Sequence, residues 1–135
     1  MITVDASALI RALTDDRELG NKARGALSMH EQWVAPGHLT AEFCHGLRGM
    51  VMGNKIDQER AEWALREYFD LDLQLIIPDA SAVECVWKLR HNLSAYDALY
   101  VAVAEQLGTP LLTADARIER SGMAQCEVTT LRSGE

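Results

Sequence analysis

Short apolar runs alternate with longer amphipathic segments along the whole chain, and this alternation limits the possible folds more than any other feature. Five runs have the length and composition of strands: Met1–Val4, Gln32–Ala35, Leu73–Ile77, Leu111–Thr113 and Cys126–Leu131. Strands that are separated by helices pair in parallel through right-handed crossovers. The pattern therefore predicts an α/β fold in which a mainly parallel sheet lies between layers of helices.

The segments between these runs have helical periodicity. Helices are predicted at Ala6–Leu13, Leu19–His30, His38–Met52, Ile56–Phe69, Asp79–His91, Ser94–Leu107 and Asp115–Ser121. Asp79 is expected to cap the fifth of them, and Phe69 is expected to point inward from the fourth. Together with the strands, the helices give the order β-α-α-β-α-α-β-α-α-β-α-β.

Length and composition suit one compact domain. The chain has 135 residues, of which 48% are hydrophobic, so residues 1–135 are expected to form a single domain with its own core. No run approaches the roughly 20 apolar residues of a membrane helix. The residues after Met1 lack the basic flank and the apolar stretch of a signal peptide. We therefore expect a cytoplasmic protein that does not enter a membrane.

Cysteine spacing and net charge exclude some functions. Cys44, Cys85 and Cys126 are far apart and form no zinc-ligand pattern with histidine, so reduced thiols packed as small hydrophobes are expected. The net charge of −7 argues against a protein that coats nucleic acid through counterion release alone. It is compatible with an enzyme that meets phosphate through a bound cation, because the carboxylates around the cation add to the negative charge.

Two aspartates follow strands at the edge of the predicted sheet where ligands bind. Asp5 ends the first strand, and Asp115 lies two residues after Thr113, past the end of the fourth strand. In open α/β sheets, ligands bind outside the carboxyl ends of the strands. The two carboxylates face one site if the first and fourth strands are neighbours, which the sequence leaves open.

Two further acids lie near helix starts, next to apolar residues. Asp97 is the only charged residue between Asn92 and Ala104, in a helix that is apolar nearly all round and is therefore expected to be buried. A buried carboxylate must be paired, neutralised or bound to a cation. Glu42 lies one step off the apolar stripe of its helix, which places it at the edge of the core.

Each of these acids also has a purely structural explanation. Asp5 and Asp115 directly precede helices and could be N-caps. Ser94 and Asp97 have the spacing of a capping box, and Glu42 could favour the dipole at its helix N-terminus. These explanations account for four helix starts separately, but they do not account for a carboxylate that enters an apolar face at Asp97.

Taken together, the four acids indicate a cation site. Packed carboxylates raise one another's pKa unless a cation lies between them. A hard ion such as Mg²⁺ prefers carboxylate oxygens and usually keeps waters, which leaves positions for substrate phosphate. The chemistry of such a site is hydrolysis of a phosphodiester with water as the nucleophile.

Four motifs carry these acids: ITVDASAL at 2–9, LTAE at 39–42, SAYDALYVA at 94–102 and GTPLLTAD at 108–115. In this order and at this spacing they resemble the motifs of PIN-domain ribonucleases, and in particular of the VapC-like toxins of toxin–antitoxin pairs. The resemblance implies a PIN-like, three-layer α/β/α domain. It matches the family's metal-binding acidic quartet to Asp5, Glu42, Asp97 and Asp115, and two supporting hydroxyl positions to Ser7 and Thr113.

The resemblance also implies an activity and partners. It implies endonucleolytic cleavage of RNA that depends on Mg²⁺, with Mn²⁺ as an alternative. It further implies a homodimer and a cognate VapB-like antitoxin that covers the active site. Some members of the family carry a further acid or amide after the last aspartate, where this chain has Ala116, Arg117 and Ile118. Arg117 either contacts the phosphate of the substrate or only stabilises the last helix.

Several aromatic and basic residues admit two roles. The aromatic residues offer apolar material for interfaces, although core packing is favoured for each: Trp33, Trp63, Phe69 and Trp87. The basic residues either line a path for RNA or only solvate the surface: Lys22, Arg24, Arg48, Lys55, Lys88 and Arg90.

Rival functions fail on particular residues. A phosphorylation-dependent receiver needs an acidic pair after the first strand and a lysine after a late strand, but the chain has Asp5 followed by Ala6 and no lysine beyond Lys88. A phosphatase of the haloacid-dehalogenase type needs an aspartate where Ser7 stands. A PIN fold without catalysis, serving only as an interaction surface, stays open as an alternative, against which the full quartet weighs.

Overall fold

The sheet has five parallel strands. A computed structural model describes residues 1–134, so Glu135, the last residue of the predicted domain, lies outside the described residues. The strands are β1 (Ile2–Val4), β2 (Trp33–Pro36), β3 (Leu73–Ile76), β4 (Leu111–Thr113) and β5 (Val128–Thr130). They pair in the order β3-β2-β1-β4-β5, and every pairing is parallel. The predicted α/β fold with a parallel central sheet is confirmed, and β1 and β4 are neighbours.

Seven helices connect the strands within residues 1–134, in the predicted order. They are α1 (Ala6–Thr14), α2 (Glu18–Ser28), α3 (Leu39–Met52), α4 (Gln58–Asp70), α5 (Ala80–Lys88), α6 (Ala95–Leu107) and α7 (Arg117–Ser121). The predicted end of α5 at His91 is three residues too late. The chain leaves the helix there in a turn, in which the backbone N–H groups of Asn92 and Leu93 both donate to the carbonyl of Leu89.

Side-chain caps fix where several helices begin. The carboxylate of Asp79 accepts from the backbone N–H of Ala82 at 2.9 Å, which confirms the predicted N-cap of α5. Ser94 caps α6 by accepting from the N–H of Asp97 at 3.1 Å. Gly108 ends that helix with φ of 66°, a left-handed conformation that glycine adopts without strain.

The connections place helices on both faces of the sheet. Right-handed crossovers from β1 through β2 to β3 put α1 to α4 on one face, and the return to β4 puts α5 and α6 on the other. This agrees with the packing of α1 against α3 and α4, and of α5 against α6. The strand order reverses between β1 and β4, so a crevice opens there at the carboxyl ends of the strands.

The core lies on both sides of β1 and β4. Val4, Leu111 and Leu112 are fully buried, and α6 contributes Val101 and its neighbours up to Ala104 at 1% exposure or less. Burial of α6 nearly all round agrees with its apolar sequence. Replacement of Leu111 or Leu112 by alanine would cost about 2–5 kcal/mol, so burial at β4 contributes strongly to the stability of the sheet that carries the crevice.

Three predicted core aromatic residues are exposed instead. Phe69 was expected to point inward, but it is 77% exposed, and its neighbour Tyr68 is buried and stacks on Phe43 at 4.7 Å. Trp63 and Trp87 are 56% and 67% exposed. Successive side chains on a helix point about 100° apart, so an assignment that is wrong by one position moves a side chain from the core to solvent.

Two other expectations concern Trp33 and the cysteines. Trp33 is half-buried, and its indole N–H donates to the carbonyl of Leu27 at 3.0 Å. The three cysteines have free thiols, as predicted, but Cys44 is exposed rather than packed, while Cys85 and Cys126 are half-buried. In the described part of the chain, none of the helices combines the length and the apolar composition needed to cross a bilayer.

Candidate active site

Asp5 lies at the centre of the crevice, between the end of β1 and the start of α1. Its backbone N–H donates to the carbonyl of Leu112 at 3.1 Å, which ties it to β4. Its Oδ1 accepts from the N–H of Ala8 at 3.0 Å and from the hydroxyl of Ser7 at 2.7 Å. Its Oδ2 accepts from the hydroxyl of Thr113 at 2.5 Å. Asp5 is therefore an N-cap and also a fixed, buried carboxylate, 4% exposed.

The hydroxyls of Ser7 and Thr113 link the turns after β1 and β4. The Ser7 hydroxyl accepts from the N–H of Ala114 at 2.9 Å, and the Thr113 hydroxyl accepts from the N–H of Asp115 at 3.0 Å. The two hydroxyl oxygens lie 3.3 Å apart. Since each hydroxyl has one proton and gives it to Asp5, this approach is a contact rather than a third hydrogen bond. Both side chains thus hold Asp5 and the backbone that precedes Asp115.

Burial dominates the electrostatics of Asp5. Desolvation raises its pKa to about 6, although hydrogen bonds from Thr113, Ala8 and Ser7 act in the opposite direction, and the charge of Asp97 raises it further. Three donors stabilise the carboxylate, yet they do not replace the water that burial removes. The ionised form of Asp5 is therefore costly without a cation.

Asp97 connects the four acids electrostatically. It lies in the first turn of α6 and is half-buried. Its pKa is raised by desolvation first and then by the negative charges of Asp115 and Glu42. Because Asp97 also raises the pKa of Asp5, the structure brings all four predicted acids into one electrostatic group.

Glu42 is held by two residues that the sequence reasoning missed. The hydroxyl of Tyr100 donates to Glu42 Oε1 at 2.7 Å. The Nε2 of His38 lies 3.1 Å from the same oxygen, at an angle outside hydrogen-bond geometry, so this contact is an ion pair only when the imidazole is protonated. The two rings pack edge to face with centroids 4.8 Å apart.

Helical spacing was the signal for both missed residues. Tyr100 lies three positions after Asp97 on α6, and His38 lies four positions before Glu42, so each shares a helix face with an acid. Desolvation, followed by the bond to Glu42, raises the pKa of the Tyr100 phenol. The phenol therefore stays protonated and serves as a donor.

Asp115 differs from the other three acids because it already has a cationic partner. It is not the N-cap of α7, which is Ala116, although its carboxylate accepts from the backbone N–H of Arg117 at 2.9 Å. The Arg117 guanidinium contacts both carboxylate oxygens, at distances of 2.5 to 3.1 Å. This hydrogen bonding holds the pKa of Asp115 below its ordinary value.

The donor set fits a hard divalent cation, but it is not fully assembled around one point. Within residues 1–134, no three carboxylate, imidazole or thiol groups are placed so that they could share an ion without moving. Burial first, and neighbouring negative charge second, nevertheless raise the pKa values of Asp5 and Asp97, and a bound cation would favour the ionised form of both carboxylates. Carboxylate oxygens are also the ligands that Mg²⁺ and Mn²⁺ prefer.

A groove leads away from the acids. Its volume is about 890 Å³, and it reaches the site at Ser7 and Asp115 rather than at the more buried Asp5. Its walls carry apolar, basic and acidic side chains: Ile10, Met50, Ile56, Arg11, Arg17, Lys55, Asp15 and Asp16. The crevice therefore has an extended, open approach on the side of α1 and α3.

The family follows from comparison with known proteins. The family model for the PIN domain matches residues 2–122. The chain belongs to the PIN-domain family. Within it, the chain is similar to a VapC ribonuclease of Mycobacterium bovis, with 37% identity over 131 residues that cover 97% of this chain and 98% of that protein. It is also 37% identical to ribonuclease VapC1 of Mycobacterium tuberculosis, over 96% of each chain. The predicted resemblance is confirmed.

Solved structures share the fold. A toxin–antitoxin complex from Klebsiella pneumoniae contains a chain with a TM-score of 0.69 and 19% identity, covering 98% of each chain. A structure of VapBC2 from Rickettsia felis, bound to a DNA fragment from their promoter, has a TM-score of 0.67 and 16% identity, covering 98% of this chain and all of the other. The predicted PIN-like architecture is therefore observed.

Proposed function

We propose that the protein is a metal-dependent endoribonuclease that acts as the toxin of a toxin–antitoxin pair. The observation that carries the proposal is the geometry at the switch point of the sheet, where the hydroxyls of Ser7 and Thr113 link the buried Asp5 carboxylate to the turn that carries Asp115. Asp97 interacts through its charge with Asp5, Asp115 and Glu42, which supports one shared site. Relatives that are 37% identical over nearly the whole chain are named ribonucleases, which supports RNA as the substrate.

The proposed metal ligands are the carboxylates of Asp5, Asp97 and Asp115, with Glu42 beside them. When bound, Mg²⁺ or Mn²⁺ supplies a Lewis acid for phosphoryl oxygens and lowers the pKa of a bound water. Ser7 and Thr113 hold the Asp5 carboxylate in a fixed orientation through their hydroxyl protons. A carboxylate that is oriented in advance loses little freedom when it binds a ligand.

Glu42 is the proposed acceptor for a proton from the attacking water. Its Oε1 is engaged by Tyr100, and this bond fixes the plane of the carboxylate. The proton then passes to the carboxylate through its other oxygen. The phenol cannot compete as a base, because the raised pKa of Tyr100 keeps it protonated.

The groove is the proposed path of the RNA strand. Arg17 and Lys55 line it and can contact phosphates, while Ile10 and Met50 offer apolar surface for a base. Arg11 also lines it, but its guanidinium already pairs with Asp15 at 3.1 Å. Of the six basic residues considered from the sequence, Lys55 is the one that lines this groove.

Three of the other five basic residues considered from the sequence already have partners within the protein. The Nζ of Lys22 donates to the carbonyl of Arg132, and Arg24 donates to the carbonyls of Ala12 and Asp15. The Arg90 guanidinium stacks on the Trp87 ring at 4.8 Å.

Substitution of groove cations is expected to weaken RNA binding. Lys55→Gln and Arg17→Gln should each raise the Kd for RNA by about three- to tenfold and lower the slope of log Kd against log salt by about 0.7 to 1. Filter binding in Ca²⁺ or chelator separates binding from cleavage. Arg90→Gln removes an equal charge outside the groove and should leave both quantities near the wild-type values. Equal effects of all three substitutions would place RNA elsewhere.

The decisive experiment for the function is cleavage of total cellular RNA by the purified protein, free of any copurified partner. Discrete fragments are expected with Mg²⁺ or Mn²⁺ and none with chelator, because hydrolysis requires the cation. Primer extension on the products would then identify the RNA and the cut site. No cleavage of any cellular RNA under these conditions would favour a PIN fold that serves only as an interaction surface.

The proposed protein partner is a VapB-like antitoxin that covers the acidic site. The solved neighbours include toxin–antitoxin and VapBC structures, which supports such a partner. An antitoxin that inserts a basic side chain among the acids would satisfy charges that are otherwise costly at Asp5 and Asp97. Because the proposed substrate, cellular RNA, lies in the cytoplasm, we propose the same location for this protein.

We also propose a homodimer that uses the exposed apolar residues of α5. Val83 and Trp87 are 58% and 67% exposed and lie four residues apart on one face of that helix. The double variant Val83→Asp with Trp87→Glu should therefore be monomeric in size-exclusion chromatography with light scattering. Met29→Glu, at an 83% exposed position near the end of α2, is the matched control. Dimers of unchanged stability in the double variant would contradict this interface.

A further inference from the structure

The Arg117 side chain occupies the carboxylate of a proposed metal ligand. Its Nε donates to Oδ1 and Oδ2 of Asp115 at 3.1 and 2.8 Å, and its terminal nitrogen donates to Oδ2 at 2.5 Å. Such a paired contact of a guanidinium with a carboxylate is one of the stronger charge-assisted interactions. Both oxygens that Asp115 could offer to a cation therefore already accept hydrogen bonds from Arg117.

The charge of Arg117 acts on the site as a whole. Both Asp115 and Asp97 raise the pKa of the guanidinium, so it lies within electrostatic range of two of the four acids. It also lowers the pKa of Asp97, against the burial and the neighbouring charges that raise it. In the protein without a bound ion, Arg117 thus offsets part of the repulsion among the carboxylates.

The two members of the pair differ in exposure. The side chain of Arg117 is 72% exposed, whereas that of Asp115 is 26% exposed. Asp115 is also anchored through its backbone N–H to Thr113, at the end of a buried strand. If the pair separates, the side chain that moves is therefore that of Arg117, and the carboxylate is left facing the site.

We propose that Arg117 is a built-in counter-ion that competes with the divalent cation for Asp115. The guanidinium holds the place of the ion on this carboxylate, and it must leave before Asp115 can join Asp5 and Asp97 as a ligand. This inference rests on the proposed metal site.

The test measures the binding of Mn²⁺ to the purified protein without RNA. Calorimetry and the electron paramagnetic resonance signal of free Mn²⁺ both give the Kd. Arg117→Gln is expected to lower the Kd for Mn²⁺ by about three- to tenfold, the range of an ion pair that is partly exposed. In line with this, Mn²⁺ should raise the melting temperature of the variant more than that of the wild type.

Arg120→Gln is the matched control. Arg120 also acts on Asp115 through its charge and lies on the same short helix, but the hydrogen bonds to the Asp115 carboxylate come from Arg117. A general effect of removing one positive charge would tighten Mn²⁺ binding equally in both variants, whereas competition for the carboxylate tightens it more in Arg117→Gln. Arg117→Lys keeps the charge but loses the paired contact, and an intermediate Kd is expected.

The outcomes separate this inference from the function on which it rests. If the wild type binds Mn²⁺, Asp97→Asn does not, and Arg117→Gln binds no tighter than Arg120→Gln, then the counter-ion role is overturned while the metal site stands. Weaker binding by Arg117→Gln would also overturn it, because Arg117 would then position Asp115 for the ion. Absence of Mn²⁺ binding by the wild type and by Arg117→Gln alike would overturn both proposals.

Discussion

Asp97→Asn is expected to reduce metal-dependent RNA cleavage by roughly a thousandfold or more. Asp97 raises the pKa of Asp5 and is itself affected by the charges of Asp115 and Glu42, so it is the acid that links the group. Loss of its charge removes a cation ligand and with it several kcal/mol of transition-state stabilisation, of which each 1.36 kcal/mol is a factor of about ten in rate. Initial rates on the RNA identified in the cleavage experiment measure the effect.

The same variant is expected to stay folded. Asparagine has the shape of aspartate and keeps the backbone N–H that donates to Ser94. Its amide oxygen can still accept from the Ser94 hydroxyl, the side-chain contact that lowers the pKa of the carboxylate. Removal of one of several repelling charges should leave the melting temperature in chelator unchanged or slightly higher. A clear fall in the melting temperature would instead support a capping role for the Asp97 carboxylate.

Asp57→Asn is the control for this substitution. Asp57 caps α4 by accepting from the N–H of Arg60 at 2.7 Å, and asparagine is an equally good cap. Its cleavage rate should equal that of the wild type. Full metal-dependent cleavage by purified Asp97→Asn would remove the basis for the acidic quartet, however the control behaves.

Local patterns in the sequence were enough to predict the order of strands and helices. Apolar alternation and helical periodicity act over a few residues, and they placed β1 and α6 within one or two residues of their observed bounds. Whether Asp5 and Asp115 meet depended on the pairing of β1 with β4, which is a contact across most of the chain. For that step, the sequence offered only the resemblance to the family.

Side-chain direction was harder to predict than element order. At the end of α4, Phe69 was assigned to the core, but Tyr68 is buried there instead. Packing against Phe43 decides this, and no pattern within α4 contains that information. The contact of Arg117 with Asp115 is likewise a choice among rotamers of a mostly exposed side chain, to which two roles could be given from the sequence.

The stability of the metal-free protein is expected to fall as the pH rises from about 4 to about 7. The pKa of Asp5 is about 6 in the folded protein, above its ordinary value of 3.8. The folded state therefore binds the proton more tightly than the unfolded state. The stabilisation from this proton is complete below pH 3.8 and is lost as the pH rises through 6. At 1.36 kcal/mol per pKa unit, the loss is about 3 kcal/mol.

Asp5→Asn isolates this contribution from those of other titrating groups. The amide oxygen can still accept from Ala8 and Ser7, while the amide nitrogen can donate to the hydroxyl of Thr113, which would reverse its present role. Such a rearrangement shifts stability by a constant amount, so the informative quantity is the change with pH.

Urea denaturation of both proteins in chelator, at several pH values from 4 to 7.5, measures this change. The free energy of unfolding of Asp5→Asn minus that of the wild type should rise with pH, by about 3 kcal/mol over the range. Added Mg²⁺ should stabilise the wild type at pH 7.5 but have little effect on the variant. A difference that stays constant with pH would mean that burial imposes no charge penalty on Asp5, and the case for a cation at its carboxylate would lose its electrostatic support.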